Sequence, residues 1–486
     1  MKILVLLLTA WAGVVTAALA QAPAAPPDTA TYYPQRPLRN LGGTLLPRSG
    51  RLLLLEARYP KTADTTYLRQ RWYDQHLRPE RSFELALPGR KQYPEQVQPF
   101  VGSRVLVRLA SRDSLHLLAL DSTGRVLGRA REALPQPRRD YDQLLPELPE
   151  LPGVLSLHHA RTDTLSVLTY YDARLRVRWQ RRLRLPGQGL RLPLAPSLRV
   201  VADSTHLWLL TQQYPTRRRP VTTAICLRLA DGTELGRRQL APTPAAGQRL
   251  VSNLHLNPDH SLWLGGHAYH GQALNTHHSG DFFGLRLSPA GKQLDSLQLP
   301  LRRLPQQLHA RGRRVAWQAL YPEPGGGLRL VGETYTTTPA AASFVRTVFS
   351  IGLLGFDVLR PKDLLTLHLT PAGQVEQPRL VPLPADHGSF VWPFYESPLA
   401  MEQMANLAHG FRTRGLAADS QTLVLRSRQR VQALSLRTGQ TRLLRPAPAG
   451  GNLDVLYTGP DYVLLAEARS LRGGIRLVRL PLAGAH

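Results

Sequence analysis

The sequence predicts an all-β fold assembled from repeated four-stranded units, and three observations carry that prediction. Short runs such as "RVLVRLA", "LSVLTYY", "LRVRWQRRLRL" and "IRLVRLPL" alternate apolar and polar residues, the two-residue period of half-buried strands. Glycine-bearing turns follow many of these runs. A strand–turn–strand pattern then recurs along the chain, with convincing helical stretches almost absent.

The clearest copy is residues 254–299. It contains a first strand, a turn at Asn257-Pro258-Asp259, a second strand over Leu262–Gly266, a third over Phe283–Leu287, a turn at Ser288–Gly291, and a fourth strand. Residues 198–240 repeat the plan, with Trp208 matching Trp263 and Gly232 matching Gly291. Further copies end in 117–132, 365–380 and 433–446, and 169–185 is a weaker one. The stretches 83–92 and 475–484 read as the first and last of the series. A tight strand connection needs a residue at positive φ, which glycine adopts without steric penalty. Leu-x-Leu before each turn places two leucines on one strand face, where a neighbouring sheet can cover them.

One such unit cannot bury both of its faces, whereas several stacked units can. Four strands in roughly 40–80 residues fit propeller blades better than solenoid coils. The expected architecture is therefore a β-propeller of four-stranded blades, seven favoured and six to eight allowed, with one short helical insertion. A pair of β-sandwiches is the competing arrangement.

Asp281-Phe282-Phe283-Gly284-Leu285-Arg286-Leu287 with Gly291, preceded by Leu262 to Gly266, resembles the blade repeat of a loose class of bacterial exported β-propeller proteins. The resemblance covers most of residues 40–484 and is strong over 198–300. It implies a fold and carries no catalytic residues with it. The signatures of WD and kelch repeats are missing.

Domain organisation follows from the ends and the interruptions. Lys2, the apolar stretch from Ile3 through Val15, and Ala18-Leu19-Ala20 form a charge, apolar core and small-x-small order, so residues 1–20 read as a cleavable signal peptide. The competing reading, an N-terminal membrane anchor, needs a longer apolar stretch and a basic flank; Gln21 to Pro27 are Ala- and Pro-rich instead. The mature protein is thus expected to be exported, periplasmic or extracellular, with no transmembrane anchor. Residues 21–40 read as a flexible Pro/Ala-rich lead-in, and 41–486 as a single propeller domain interrupted at 336–363 and 386–415. Within the second interruption, Ser397 as N-cap, Pro398 at the first position and Gly410 at the end predict one helix.

Cys226 is the sole cysteine, so disulfides cannot staple the fold and burial must hold it; in "AICLRL" it reads as a buried apolar side chain. The net charge of +27 comes almost entirely from arginine. A GC-rich coding bias would raise the charge with no ligand behind it; the alternative is attraction to anionic surfaces. An anionic glycan, another cell-envelope component or a second protein is the expected partner class. Nucleic acid is excluded by export and by the lack of a recognition motif.

Candidate functional residues fall in three groups. Phe390, Trp392, Phe394 and Tyr395, in the second interruption beside Met401 and Met404, offer adaptable contact surface, or else cap the blade edges. Trp208, Trp263 and Arg329 stand at the same step of successive second strands; they pack between blades, or line a face that stacks sugars. Six histidines, His255, His260, His267, His270, His277 and His278, crowd one repeat. Of these, His267, His270, His277 and His278 are metal candidates by chemistry. However, strand alternation sends His267 and His270 to opposite faces, and no carboxylate has the spacing, so no metal site is assigned to them.

No cofactor is expected. Calcium loops of the Asp-x-Asp-x-Asp-Gly type, Gly-x-Ser-x-Gly, His-Glu-x-x-His, the Walker loop and the dinucleotide fingerprint are absent. Carboxylates number only 34, and those clustered at Asp140, Asp142, Glu147 and Glu150 sit in a Pro-rich stretch read as a loop. The function expected is a non-catalytic binding or scaffolding module. The alternative is a glycan-active propeller enzyme, a hydrolase or lyase, with two facing carboxylates in the central channel.

Overall fold

Along this chain each strand hydrogen-bonds to its sequence neighbour, and after every fourth strand the pairing stops. A computed structural model describes residues 28–32, 41–46, 49–58, 64–89, 92–111, 114–133, 141–144, 151–160, 165–184, 198–216, 219–240, 248–269, 281–304, 314–323, 327–339, 356–382, 390–393, 412–416, 421–426, 430–448, 452–459, 461–468 and 475–482.

Blade one comprises Leu41–Leu46 (β2), Arg51–Arg58 (β3), Thr65–Tyr73 (β4) and Pro79–Pro88 (β5). Blade two comprises Tyr93–Phe100 (β6), Arg104–Ala110 (β7), Ser114–Leu120 (β8) and Val126–Ala133 (β9). Blade three comprises Tyr141–Leu144 (β10), Gly153–Ala160 (β11), Leu165–Asp172 (β12) and Val177–Arg184 (β13). Blade four comprises Leu198–Ala202 (β14), His206–Thr216 (β15), Arg219–Arg228 (β16) and Glu234–Leu240 (β17). Blade five comprises Gln248–Leu256 (β18), Leu262–Tyr269 (β19), Asp281–Leu287 (β20) and Gln293–Leu299 (β21). Blade six comprises Arg314–Pro322 (β22), Leu328–Pro339 (β23), Phe356–Leu369 (β24) and Val375–Pro382 (β25), with Phe390–Pro393 (β26) added to β24. Blade seven comprises Arg412–Leu416 (β27), Thr422–Arg426 (β28), Arg430–Ser435 (β29) and Thr441–Pro446 (β30).

Blade eight is composite. Asn452–Thr458 (β31), Tyr462–Ala468 (β32) and Ile475–Pro481 (β33) come from the end of the sequence, and Asp28–Tyr32 (β1) supplies the fourth strand, pairing Asp28 with Arg479 and Tyr32 with Ile475. The chain is therefore an eight-bladed all-β propeller, at the top of the expected range. The favoured count of seven is one short of this, and the strand missing from the sequence reading is the one that completes blade eight. That missing strand lies within the stretch read as a flexible lead-in, where five residues give too short a run for the period to be legible. One other reading differs in the structure: Tyr141–Leu144, in the acidic stretch read as a loop, forms β10. At the edges of the expected insertion over 336–363, residues 336–339 and 356–361 continue β23 and β24 as paired strands. The signal-peptide stretch 1–20 and the helix expected after Ser397 lie outside the described residues; among those described, the helical element is a single 3-10 turn, Leu301–Arg303.

Blade stacking holds the ring. Side chains at alternate positions of one strand leave toward opposite neighbours. On β15, Leu207 and Leu209 join a buried cluster with Trp179 and Leu183 of blade three, while Trp208 and Leu210 join one with Leu262 and Phe283 of blade five. The same holds at every junction. Leu53 meets Val107 between blades one and two, and Leu117 meets Val154 between two and three. Trp317 meets Phe282 edge-to-face at 5.3 Å between five and six, and Val331 meets Leu434 between six and seven. Val431 meets Leu465 between seven and eight, and Leu52 meets Leu464 between eight and one. Each fully buried leucine contributes about 1.5–3 kcal/mol, so the interfaces outweigh any single hydrogen bond.

The third-to-fourth-strand turns use one device repeatedly. Asp74, Asp121 and Asp172 each accept, through Oδ1, the backbone N–H groups two and four residues on, at 2.8–3.0 Å. The residue three positions on takes positive φ: Gly124 at 82°, but Leu77 and Leu175 at 60°. Both leucines are buried in blade interfaces, so apolar burial offsets the roughly 1–2 kcal/mol of left-handed strain.

The closest approaches between blades are those of first strands, β2 with β6 and β18 with β22, so first strands surround the axis and fourth strands form the rim. Antiparallel pairing then sorts the connections by end. First-to-second and third-to-fourth turns emerge at one end; second-to-third and between-blade connections emerge at the other.

Neighbouring blades approach closely at Gly236 of β17, where an added Cβ would stand 2.3 Å from the Ala290 carbonyl carbon of blade five. Gly236→Ala is expected to lower stability by about 1–3 kcal/mol, read as the midpoint shift in urea. Starting the chain at residue 33 removes β1 and leaves β33 with an open edge. Against the chain starting at residue 21, a lower thermal midpoint and self-association in sedimentation are expected; identical behaviour would show that closure does not depend on β1.

Candidate functional site

The structure distributes the residues singled out from the sequence instead of gathering them. Trp208 and Trp263 are 1% and 3% exposed and lie in the junctions of blade four with five and five with six. Arg329 is partly buried and pairs through Nε with Glu323 Oε1 at 2.6 Å, beside His368 at 3.2 Å from the same carboxylate. Phe390 and Trp392 stand on β26, opposite Leu359 and Asp357 of the extended β24; Phe394 and Tyr395 lie outside the described residues.

Among the metal candidates, His267 is 4% exposed and its Nε2 accepts the Trp317 backbone N–H at 3.4 Å across the blade junction. Burial lowers its pKa to about 4, so it stays a neutral acceptor at physiological pH. His270, His277 and His278 lie outside the described residues. Cys226 is fully buried, and burial pushes its thiol to about 12, which leaves it an inert apolar filler.

The group that the structure does assemble is Asp203, His206 and His260. Asp203 opens the first-to-second-strand turn of blade four, His206 begins β15, and His260 sits in the equivalent turn of blade five. Asp203 Oδ1 accepts the Thr205 and His206 backbone N–H groups, both at 2.7 Å, and the Thr205 hydroxyl at 2.8 Å. That fixes Oδ2, which contacts His260 Nδ1 at 2.7 Å. The two imidazoles stack at 4.2 Å between centroids, and Thr205 Oγ1 lies 2.8 Å from His206 Nδ1. His260 holds φ at 64°, and its carbonyl accepts the indole N–H of buried Trp208 at 3.0 Å. A positive φ is uncommon outside glycine and tolerated better by histidine than by bulkier residues.

Burial alone would favour the neutral form of Asp203, but hydrogen bonds from His260, Thr205 and His206 outweigh it and hold the carboxyl at about 2. Burial, then the neighbouring His260 ring, lowers the pKa of His206. In the sequence His260 is one of six histidines in its repeat, yet its partners come from the preceding blade, 54 and 57 positions away. The only local signal was the recurrence of a polar turn at the same step of both blades.

Two further features bear on function. Glu132 accepts Ser156 Oγ at 2.9 Å and the Tyr171 hydroxyl, Glu333 accepts the Gln318 amide at 3.0 Å, and Glu467 pairs with Arg445. These buried carboxylates are thus engaged with structural partners. The rim of blades two to four, by contrast, is studded with exposed arginines. Arg178 reaches Asp172 at 3.6 Å and Arg237 reaches Glu234 at 2.9 Å, whereas Arg129, Arg131, Arg182 and Arg238 have no ion-pair partner among the described residues.

No protein-family model matches the sequence, and no curated protein sequence matches it. Among solved structures, the chain is similar to Sqt1 of Chaetomium thermophilum, at 11% identity over 95% of this chain and 99% of that one, with a TM-score of 0.44. It is also similar to the WD40 domain of SCAP from fission yeast, at 8% identity over 93% and 94% with a TM-score of 0.42. A third is the quinohemoprotein alcohol dehydrogenase of Comamonas testosteroni, at 9% identity over 94% and 77% with a TM-score of 0.40.

Asp203 contributes stability fully above the ordinary carboxylate pKa near 4, and that contribution is lost as pH falls through about 2. Asp203→Ala removes acceptors from two backbone N–H groups and is expected to lower stability by about 1–2 kcal/mol at pH 7. The gap to the parent should narrow between pH 4 and pH 2, read by denaturant unfolding at each pH.

Proposed function

We propose that this chain is an exported, non-catalytic binding module whose propeller presents the arginine rim of blades two to four to an anionic glycan of the cell envelope. The observation that carries this reading is the set of rim arginines without a carboxylate partner among the described residues, Arg129, Arg131, Arg182 and Arg238. An exposed guanidinium offers a planar fork of donors suited to sulfate and carboxylate groups. Spread over three outer strands, several such groups match a repeating polyanion better than a compact ligand.

Export rests on the charge, apolar core and small-x-small order of residues 1–20. A binding role accords with buried acids already committed to Ser156, Tyr171, Gln318 and Arg445, because glycoside cleavage by a carboxylate pair needs both groups free to reach the substrate.

Heparin and polygalacturonate are the probes. Binding measured by calorimetry should weaken steeply between low and physiological salt, as attraction between exposed charges does. Replacing Arg129, Arg131, Arg182 and Arg238 together by Glu is expected to reduce affinity at least about tenfold with the fold intact by circular dichroism. Equal binding by the fourfold variant, or equal binding to neutral dextran, would overturn the proposal.

A further inference from the structure

We propose that Asp203, His206 and His260 form a binding site for a divalent transition-metal cation of the zinc class, bridging blades four and five at the tight-turn end of the propeller. Each residue offers one donor atom, and the three atoms lie within 4.8 Å of one another. Two imidazoles and a carboxylate are the donor set that such cations take, with a fourth position left to water.

The surroundings are those of a held site. Asp203 is oriented by two backbone N–H groups and the Thr205 hydroxyl, all on Oδ1, so Oδ2 is the oxygen presented. Thr205 Oγ1, 2.8 Å from His206 Nδ1, is the contact that Nδ1 exchanges for the ion, and the His260 backbone is held in its turn by the Trp208 indole on its carbonyl. Supporting contacts of this kind fix the ligand geometry around metals. The side chains are 23%, 18% and 40% exposed, which leaves a path for the ion and room for water.

Tetrahedral coordination at about 2.0–2.2 Å sets donor atoms roughly 3.3 Å apart. The Asp203–His260 contact, at 2.7 Å, has to open slightly, and His206 Nδ1, at 4.0 Å from Asp203 Oδ1, has to move inward. The two rings, stacked at 4.2 Å between centroids, have to turn out of that stack for both in-plane lone pairs to meet one ion. A cation there links two blades that otherwise meet mainly through apolar contacts, so binding raises the thermal midpoint.

Equilibrium dialysis of the chain from residue 21 with Zn2+ at pH 7.5 is expected to give one tight site per chain. Co2+ in its place should give the visible absorption of a low-coordinate site with nitrogen and oxygen donors. His260→Asn keeps a residue that tolerates positive φ, and His206→Gln keeps a polar side chain at the strand start. Each is expected to weaken Zn2+ binding about tenfold or more while the metal-free thermal midpoint stays near that of the parent. No stoichiometric binding by the parent, or Zn2+ affinity unchanged in both variants, overturns the site; the latter result would place the ion on other histidines. If one variant does not fold, the other variant and the Co2+ spectrum decide.

Discussion

The structure depends on a single constraint: a four-stranded blade carries apolar side chains on both faces and can cover neither alone. Leu207 and Leu209 point one way from β15, while Trp208 and Leu210 point the other. Only neighbours on both sides satisfy such a blade, and a row of them ends without exposed faces only by closing. The eight buried clusters, one at each junction, express that requirement. Cys226 and the tryptophans of the second strands belong to this packing, which is why residues that looked chemically suggestive lie out of reach of any ligand.

The division of labour between the two ends follows from strand direction. Short turns locked by Asp74, Asp121 and Asp172 occupy one end, where geometry is reproducible from blade to blade. Asp203 and His260 meet there because equivalent turns of adjacent blades are brought side by side by the ring, not by anything local to either. The extended β23–β24 hairpin and the aromatic β26 project at the opposite end.

Much of this architecture was legible. The strands of blades four and five fall close to where the period and the turn residues placed them, because alternation over seven or more residues leaves little choice of face. Less was legible where elements are short: the four residues of β10 and the five of β1 carry too few positions for a period to register. At Leu77 and Leu175 burial fills turn positions that conformational preference reserves for glycine, so turn residues alone do not mark every turn. The Asp203–His260 cluster was illegible for a different reason. Its members lie 57 positions apart, and their meeting depends on blade register, which sequence periodicity does not encode.

The pairing of β1 with β33 joins opposite termini of the polypeptide. The entropy of closing so large a loop grows only logarithmically, by about 0.6 kcal/mol for each doubling of length. A terminal clasp is therefore thermodynamically inexpensive. Its consequence is kinetic: the last junction cannot form until the final strand exists, and contacts of such sequence separation form slowly. The faces that close the ring, Leu52 of blade one and Leu464 of blade eight, come from opposite ends of the described chain, so circular closure rests, with the clasp, on the contacts of greatest sequence separation among the described residues.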